Sequence, residues 1–201
     1  MKRVILPVIV IVIAGVAAYF FIFKKDDKPA APEDKQKPLA VGEHSSAFMQ
    51  SFEKLLTAYI GVKEGLVASD TAKANAAARK MVIAADSLKV DEIQADTNGI
   101  IKETARTYMS ILSSSAKGLA GEATIDEKRK EFEMIADHMW QLTRTVKYDG
   151  QKLYWQYCPM AFNDRGAYWM SNEREIRNPY FGDKMLHCGD VKDSLDYSVQ
   201  N

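Results

Sequence analysis

Both cysteines of the chain lie close to a methionine, in two short stretches near the C-terminus. Cys158-Pro159-Met160 places a thiol and a thioether two residues apart, and the proline between them restricts the backbone so that both sulfurs can converge. In Met185-Leu186-His187-Cys188 the outer sulfurs are three residues apart, which is close to one turn of a helix. Thiolates and thioethers are soft ligands that select Cu(I) or Ag(I) over hard ions. The residues therefore predict a soft-metal site formed by Cys158, Met160, Met185 and Cys188, with His187 as a further candidate ligand.

The same sulfurs have three other roles open to them. Outside the cytoplasm, two cysteines at this spacing commonly form a disulfide, which would stabilise the fold by roughly 3 to 4 kcal/mol. Methionine is a flexible core residue, so Met160 and Met185 could pack under Phe162 and Trp169. A thiol redox protein would need a cysteine with a lowered pKa, which a sequence does not show.

The chain carries no signature of a familiar catalytic site. Cys188 and His187 are sequence neighbours, which rarely face each other, and no third residue is evident to orient such a pair. The sequence has no Walker A motif, dinucleotide fingerprint, G-x-S-x-G or H-E-x-x-H. Its 27 basic and 27 acidic residues leave no net charge to attract nucleic acid. We therefore predict that it is neither an enzyme nor a nucleic-acid-binding protein.

The N-terminus indicates a membrane anchor. Val4 to Phe23 is an unbroken apolar run, long enough to cross a bilayer as a helix of about 20 residues. Its end passes from Ala17 and Ala18 straight into aromatic residues, whereas a cleaved signal peptide ends in a small-residue cleavage site. Residues 1–23 are therefore predicted to be a single-pass signal anchor in the inner membrane, with the rest of the chain outside the cytoplasm.

Residues 24–44 are predicted to be a disordered tether, because three prolines are spread among charges with few large apolar side chains. The remaining residues, 45–201, are enough for one domain. Four stretches in it show helical periodicity: Ser45 to Val67, Asp70 to Leu88, Ile93 to Gly121 and Thr124 to Val146. Short connections between them predict a mainly α fold, an antiparallel four-helix bundle. The alanines of the second stretch would let a neighbouring helix approach closely.

The composition changes after Gly150, and residues from about 150 to 195 are predicted to form an irregular, aromatic-rich lobe on the bundle. "QKLYWQYC" has the composition of a short β-strand. Asn178 to Gly182 is predicted to be a tight turn that holds Met185 and Cys188 in place.

The tract from Tyr157 to Val191 resembles the C-terminal signature of the domain of unknown function 3347. The shared motifs are the C-P-M at Cys158, the "GAYWMS" beginning at Gly166, with Met170 where the family has leucine, and the "IRNPYFGDKMLHCG" that ends at Gly189. The helical part, from about residue 45, is similar as well. Members of that family occur alone behind membrane anchors or fused to adaptor subunits of copper and silver efflux systems. The resemblance implies a periplasmic role near copper, with heavy-metal efflux subunits as partners.

Overall fold

The computed structural model describes residues 44–94 and 96–198. The predicted anchor at residues 1–23, and the predicted tether at 24–44 except for its last residue, lie outside the described residues. His44 is described, and its ring lies 4.8 Å from that of Phe48. Within the described ranges, no helix has both the length and the apolar character needed to span a membrane.

Most of the described chain is helical, as predicted. The four long helices are α1 (Ser46–Val67), α2 (Thr71–Asp86), α3 (Ile100–Gly121) and α4 (Ile125–Val146). The side chains of Ser45 and Asp70 cap the first turns of α1 and α2 by accepting backbone hydrogen bonds. Thr124 and Glu127 form the capping box that their spacing predicts at the start of α4.

The third helix begins at Ile100, and the predicted start at Ile93 is wrong. Ile93 is buried but lies in the connection that follows a short 3-10 turn at Val90–Glu92. Gly99 precedes the helix with a φ of +74°, a left-handed conformation that glycine adopts readily. The carboxylate of Asp96 accepts hydrogen bonds from two backbone N–H groups of the first turn. These local features set the helix boundary further along the chain than the apolar pattern does.

Small residues bring α1 and α2 into close antiparallel contact, as the alanine-rich pattern predicts. A Cβ added at Gly65 would lie 2.6 Å from the backbone nitrogen of Ala74, and one added at Gly61 would lie 3.1 Å from the Cβ of Ala77. Residues later in α1 thus face residues earlier in α2. The backbone of α2 fits here because position 65 has no side chain.

The C-terminal lobe is more regular than predicted. It contains a three-stranded antiparallel sheet, in the order β2-β1-β3, formed by β1 (Leu153–Cys158), β2 (Ala167–Ser171) and β3 (Asp190–Leu195). A tight turn at Ala161–Asp164, in which three residues have left-handed φ angles, connects β1 to β2, and a 3-10 turn at Gly182–Lys184 lies before β3. The predicted strand at β1 is confirmed. The polar sequence of β3, "DVKDSL", gave no strand signal, because this edge strand is held mainly by its pairing with β1.

Candidate functional site

The two cysteines lie in direct contact. Cys158, the last residue of β1, is fully buried, and Cys188, two residues before β3, is half-buried. Their Sγ atoms are 3.1 Å apart, and both are free thiols. The pairing of β1 with β3 places Tyr157 opposite Asp190, which brings the adjoining cysteines to the same end of the sheet.

Glycine is required between Cys188 and β3. Gly189 has a φ of +138°, and a Cβ at this position would lie 2.7 Å from the carbonyl oxygen of Tyr157. It would also lie 3.1 Å from the Trp169 ring. Only a residue without a side chain therefore lets the Cys188 segment approach β1 this closely.

The distance between the two Sγ atoms is longer than in a disulfide bond and shorter than between two thiolates bound to one metal ion. A disulfide bond needs the Sγ atoms about 2.05 Å apart. With metal–sulfur bonds of about 2.3 Å, two thiolates on one ion lie roughly 3.8 Å apart at a tetrahedral angle and about 4.6 Å apart when linear. An approach of about 1 Å would form the disulfide, and an opening of roughly 0.7 to 1.5 Å would admit an ion.

The environment of Cys188 keeps its thiol protonated. The pKa of Cys188 is raised to about 11 by the hydrogen bond with Cys158, by burial, and by electrostatic interaction with Cys158 and Asp190. This shift is opposite to the lowered pKa that an activated redox thiol requires. A bound cation would neutralise the charge that develops as the thiol ionises, so metal binding at the pair would release protons.

The two methionines lie at a separate feature, a surface cleft of about 460 Å³. Met160 is 45% exposed and Met185 is half-buried, so Met160 does not take the core position that was one of the alternatives for it. The described residues that line the cleft include both methionines and neither cysteine: Asp126, Arg129, Lys130, Met160, Ala161, Phe162, Asn163, Asp164, Tyr180, Phe181 and Met185. The structure thus brings the two thiols into contact and places both methionines on the wall of this cleft.

His187, the further candidate ligand, is exposed, and its Nδ1 lies 3.0 Å from the carbonyl oxygen of Ile176. Donation from Nδ1 to this carbonyl would leave Nε2 with its lone pair. That arrangement is common for histidines that bind metals, where the second ring nitrogen is held by a backbone carbonyl.

The turn predicted from Asn178 to Gly182 is confirmed, and it holds the segment of Met185 and Cys188. The buried Asn178 side chain donates a hydrogen bond of 2.9 Å to the Cys188 carbonyl and accepts one of 2.8 Å from the Tyr180 N–H. The Asn178 N–H donates to the carbonyl of Leu186, and the Cys188 N–H donates to that of Met185. Met185 and Cys188 therefore stand one hydrogen-bonded turn apart, as their spacing predicts.

Three polar residues of the bundle, which we did not predict from the sequence, attach the lobe. The Tyr59 hydroxyl in α1 donates to the Met170 carbonyl (3.1 Å) and accepts from the Met170 N–H (2.9 Å), so it satisfies both backbone groups of this β2 residue. Lys63, one turn later and buried, donates to the Ser171 hydroxyl and pairs with Glu64.

Arg129 in α4 is the third such residue. Its buried guanidinium donates to the Pro179 carbonyl (3.0 Å), within the turn that holds Cys188. It also donates to the Leu66 carbonyl and the Ser69 hydroxyl, at the end of α1. A usable signal existed for Lys63 and Arg129, since each is a charged residue on an otherwise apolar helix face.

The donor set around the thiols is small. Across residues 44–94 and 96–198, no three or more histidine, cysteine, aspartate or glutamate side chains converge as a metal site. Zinc usually takes four such ligands at a structural site. The thiol pair by itself supplies two sulfur ligands.

Comparison with known families gives one match. The sequence model of a family described as protein of unknown function (DUF3347) matches residues 55–151, from within α1 to just before β1. The thiol pair and the cleft methionines lie beyond the matched span. Comparison with curated proteins and with solved structures gave no match.

Proposed function

The chain belongs to the DUF3347 family, and from that premise we propose that it is a periplasmic module that binds one soft metal ion, Cu(I) or Ag(I), at Cys158 and Cys188. The observation that carries the proposal is the contact between the two free thiols, with Sγ atoms 3.1 Å apart. Two thiolates at one point form a ligand set that soft monovalent ions prefer.

The surroundings of the pair support this role. The sheet pairing and the Asn178 turn hold both sulfurs on well-defined backbone, which lowers the entropic cost of binding an ion. The half-buried position of Cys188 leaves the pair a route to solvent, whereas Cys158 is shielded. An ion there would take the place of the two thiol protons and form two metal–sulfur bonds.

The proposed location and partners rest on sequence. The apolar run from Val4 to Phe23 supports a single-pass anchor in the inner membrane, with the domain in the periplasm. The resemblance to domains fused to heavy-metal efflux adaptors supports a role in buffering a soft ion or passing it to an efflux complex. We propose no catalytic activity.

The direct test is an anaerobic titration of the reduced protein with Cu(I) in competition with a chromogenic chelator. We expect the thiol pair to hold about one Cu(I), with an affinity that rises with pH because both thiols must lose their protons. Cys158→Ser and Cys188→Ser should each lower the affinity at least tenfold. Zn(II) should bind much more weakly, since the described residues form no group of three or more histidine, cysteine, aspartate or glutamate side chains around an ion.

Met134→Leu is the matched control, because Met134 is an exposed sulfur-containing residue on α4 outside both the thiol pair and the cleft. Its Cu(I) affinity should equal that of the unmodified protein. Equal affinity in both cysteine variants would reject the thiol pair as the metal site.

The 3.1 Å contact also favours a second candidate function, a disulfide-stabilised interaction module without a metal role. Closing the 30-residue loop would stabilise the folded state by about 3 to 4 kcal/mol. Thiol counting by alkylation and mass spectrometry, on protein taken directly from the periplasm, separates the two. A full disulfide that resists reduction by glutathione, with no Cu(I) uptake after forced reduction, would favour this second function.

A further inference from the structure

We propose that the cleft between Met160 and Met185 is a second soft-metal site, distinct from the thiol pair, in which thioethers bind Cu(I) or Ag(I). This inference rests on the proposed soft-metal function and assigns the methionines to a site of their own. The sequence placed all four sulfurs around one ion, whereas the structure lines a separate cleft of about 460 Å³ with both methionines.

Met160 and Met185 both line the cleft. Met160 is 45% exposed at the cleft wall, so an ion in solvent can reach it. Met185 lines the same cleft from the segment held by the Asn178 turn. Two methionines from different parts of the chain therefore line one solvent-accessible space.

The backbone of the cleft wall adopts an unfavourable conformation next to Met160. Phe162, Asn163 and Asp164, which follow Met160, have φ angles of 53°, 58° and 64°. Three consecutive residues with side chains in the left-handed region cost roughly 1 to 2 kcal/mol each. Such strain persists where surrounding contacts enforce it, and it is concentrated at binding sites.

Contacts on both sides keep the strained turn in place. Arg165, the next residue, donates two hydrogen bonds, of 2.7 and 2.6 Å, to the carboxylate of Glu133 on α4. Its guanidinium also lies 5.1 Å from the centre of the Phe162 ring, and the Gly166 N–H donates to the Ala161 carbonyl. The turn is thereby anchored to the bundle, and Met160 is presented at its start.

The charge of the cleft does not select a hard ligand. Its charged lining residues are two acidic and two basic side chains, Asp126, Asp164, Arg129 and Lys130. The guanidinium of Arg129 already donates to the Pro179 carbonyl and to Asp126. With charges balanced, the thioethers and the rings of Phe162, Tyr180 and Phe181 decide the ligand, and these favour a soft monovalent cation.

The two sites respond differently to oxidation of the cysteines. A disulfide would remove both thiol ligands, whereas the thioethers of the cleft take no part in disulfide formation. The cleft would therefore accept an ion while the cysteines are oxidised, and would hold it more weakly than two thiolates do. The cleft would thus retain a bound ion until reduction of the disulfide makes the thiol pair available.

The test is a titration of the full chain with Ag(I), which is redox-inert, monitored by calorimetry. We expect about two ions for the reduced protein, and about one for the C158S/C188S variant and for the M160L/M185L variant. Met134→Leu is the control, since Met134 is 50% exposed but lies outside the cleft, and it should retain about two ions.

A second readout locates the ion. In the C158S/C188S variant with methyl-labelled methionines, Ag(I) should shift the NMR signals of Met160 and Met185 and leave that of Met134 unchanged. No uptake by C158S/C188S, or unchanged uptake after M160L/M185L, would overturn the cleft site.

The outcomes also separate this inference from the proposed function. If M160L/M185L binds as much Ag(I) as the unmodified protein while C158S/C188S binds none, the thiol site stands and the cleft site is rejected. If each double variant loses all binding, one shared four-sulfur site is present and the separate cleft site is wrong. If M160L/M185L loses all binding and C158S/C188S loses none, the cleft stands and the thiol function fails.

Discussion

The helical bundle at residues 46–146 and the lobe at residues 153–195 share one apolar core but differ in their polar contacts. The bundle buries many apolar side chains along its helices, so its stabilisation is spread over many atoms. The lobe adds Leu153, Trp169 and Tyr180 to that core, and single polar groups also hold it, among them the Asn178 amide and the Tyr59 hydroxyl and Arg129 guanidinium of the bundle. Loss of one such polar group should therefore loosen the lobe more than the helices.

Aromatic rings join the two regions. Tyr59 and Phe132 of the bundle stack with centroids 5.5 Å apart, and Phe132 lies 6.0 Å from Tyr180 of the lobe. Tyr180 in turn contacts Trp169, the residue beside Gly189. The thiol pair is therefore connected to the bundle core by packing as well as by hydrogen bonds.

The largest expected effect is in the bundle. Phe52 is fully buried and stacks on Tyr148 with centroids 4.4 Å apart. Phe52→Ala should lower the free energy of unfolding by about 3 to 5 kcal/mol, because it leaves a cavity in the core. Urea unfolding followed by circular dichroism measures this. Ile83→Ala is the control, since Ile83 is 70% exposed and should change stability by less than about 0.5 kcal/mol.

Arg129→Met tests whether the lobe depends on one side chain. The change leaves the Pro179 and Leu66 carbonyls without their charged donor, and should cost about 2 to 4 kcal/mol. Hydrogen exchange should show faster opening of residues 178–188, with the helices still protected. Asp126→Asn is the control, because Asp126 is an 81% exposed partner of the same arginine. Uniform loss of protection in both regions would contradict the comparison.

Alkaline pH should lower the stability of the folded state through two buried tyrosines, one in the bundle and one in the lobe. Burial raises the pKa of Tyr59 and of Tyr180 above the ordinary value of 10.0. Above pH 10 the unfolded state loses these protons and the folded state keeps them, so stability falls as pH rises, by about 1.4 kcal/mol per pH unit for each tyrosine. Urea unfolding at pH 9, 10 and 11 measures the slope. A flat profile would mean that these tyrosines are hydrated.

Tyr59→Phe also tests how the lobe is attached, with a smaller expected loss of stability than Arg129→Met. It keeps the ring and removes the hydroxyl that serves both backbone groups of Met170, which should cost about 1 to 2 kcal/mol. Increased exchange of the Met170 amide is the specific readout. Tyr108→Phe in α3 is the matched control and should leave that amide unchanged. Equal exchange rates in both variants would remove Tyr59 from the attachment of the lobe.

The smallest effect is expected at a helix end. Thr124→Ala removes the cap of α4 and should cost about 1 kcal/mol. The hydrogen bond from Thr124 also lowers the pKa of Glu127, so NMR titration of Glu127 should show a higher pKa in the variant. Amide exchange in the lobe should stay the same, because the change concerns the bundle alone.

The helices were predictable because their signals are local. Apolar residues repeat every three to four positions, and caps at Asp70 and Thr124 mark two starts. We placed the start of α3 too early because Ile93 continues the apolar pattern, although it lies in the connection before the helix. Asp96 and Gly99 mark the true helix start at Ile100. The strand β3 gave no pattern at all, since its pairing partner lies more than thirty residues away.

The site was predictable in its atoms and not in its arrangement. The cysteines and methionines could be singled out by residue type, and the turn at Asn178 could be predicted from its composition. The role of Tyr59 was hidden, because a tyrosine on an apolar helix stripe looks like any core residue until its hydroxyl finds a partner 111 positions away.

The sequence by itself determined the four helices, most of their ends and the first strand, since each depends on neighbours within a few positions. Only the tertiary structure decided that the two thiols are in contact and that both methionines line one cleft. The physical reason is distance along the chain. Cys158 and Cys188 meet through the β1–β3 pairing and the Asn178 turn, and these contacts form only when the lobe folds.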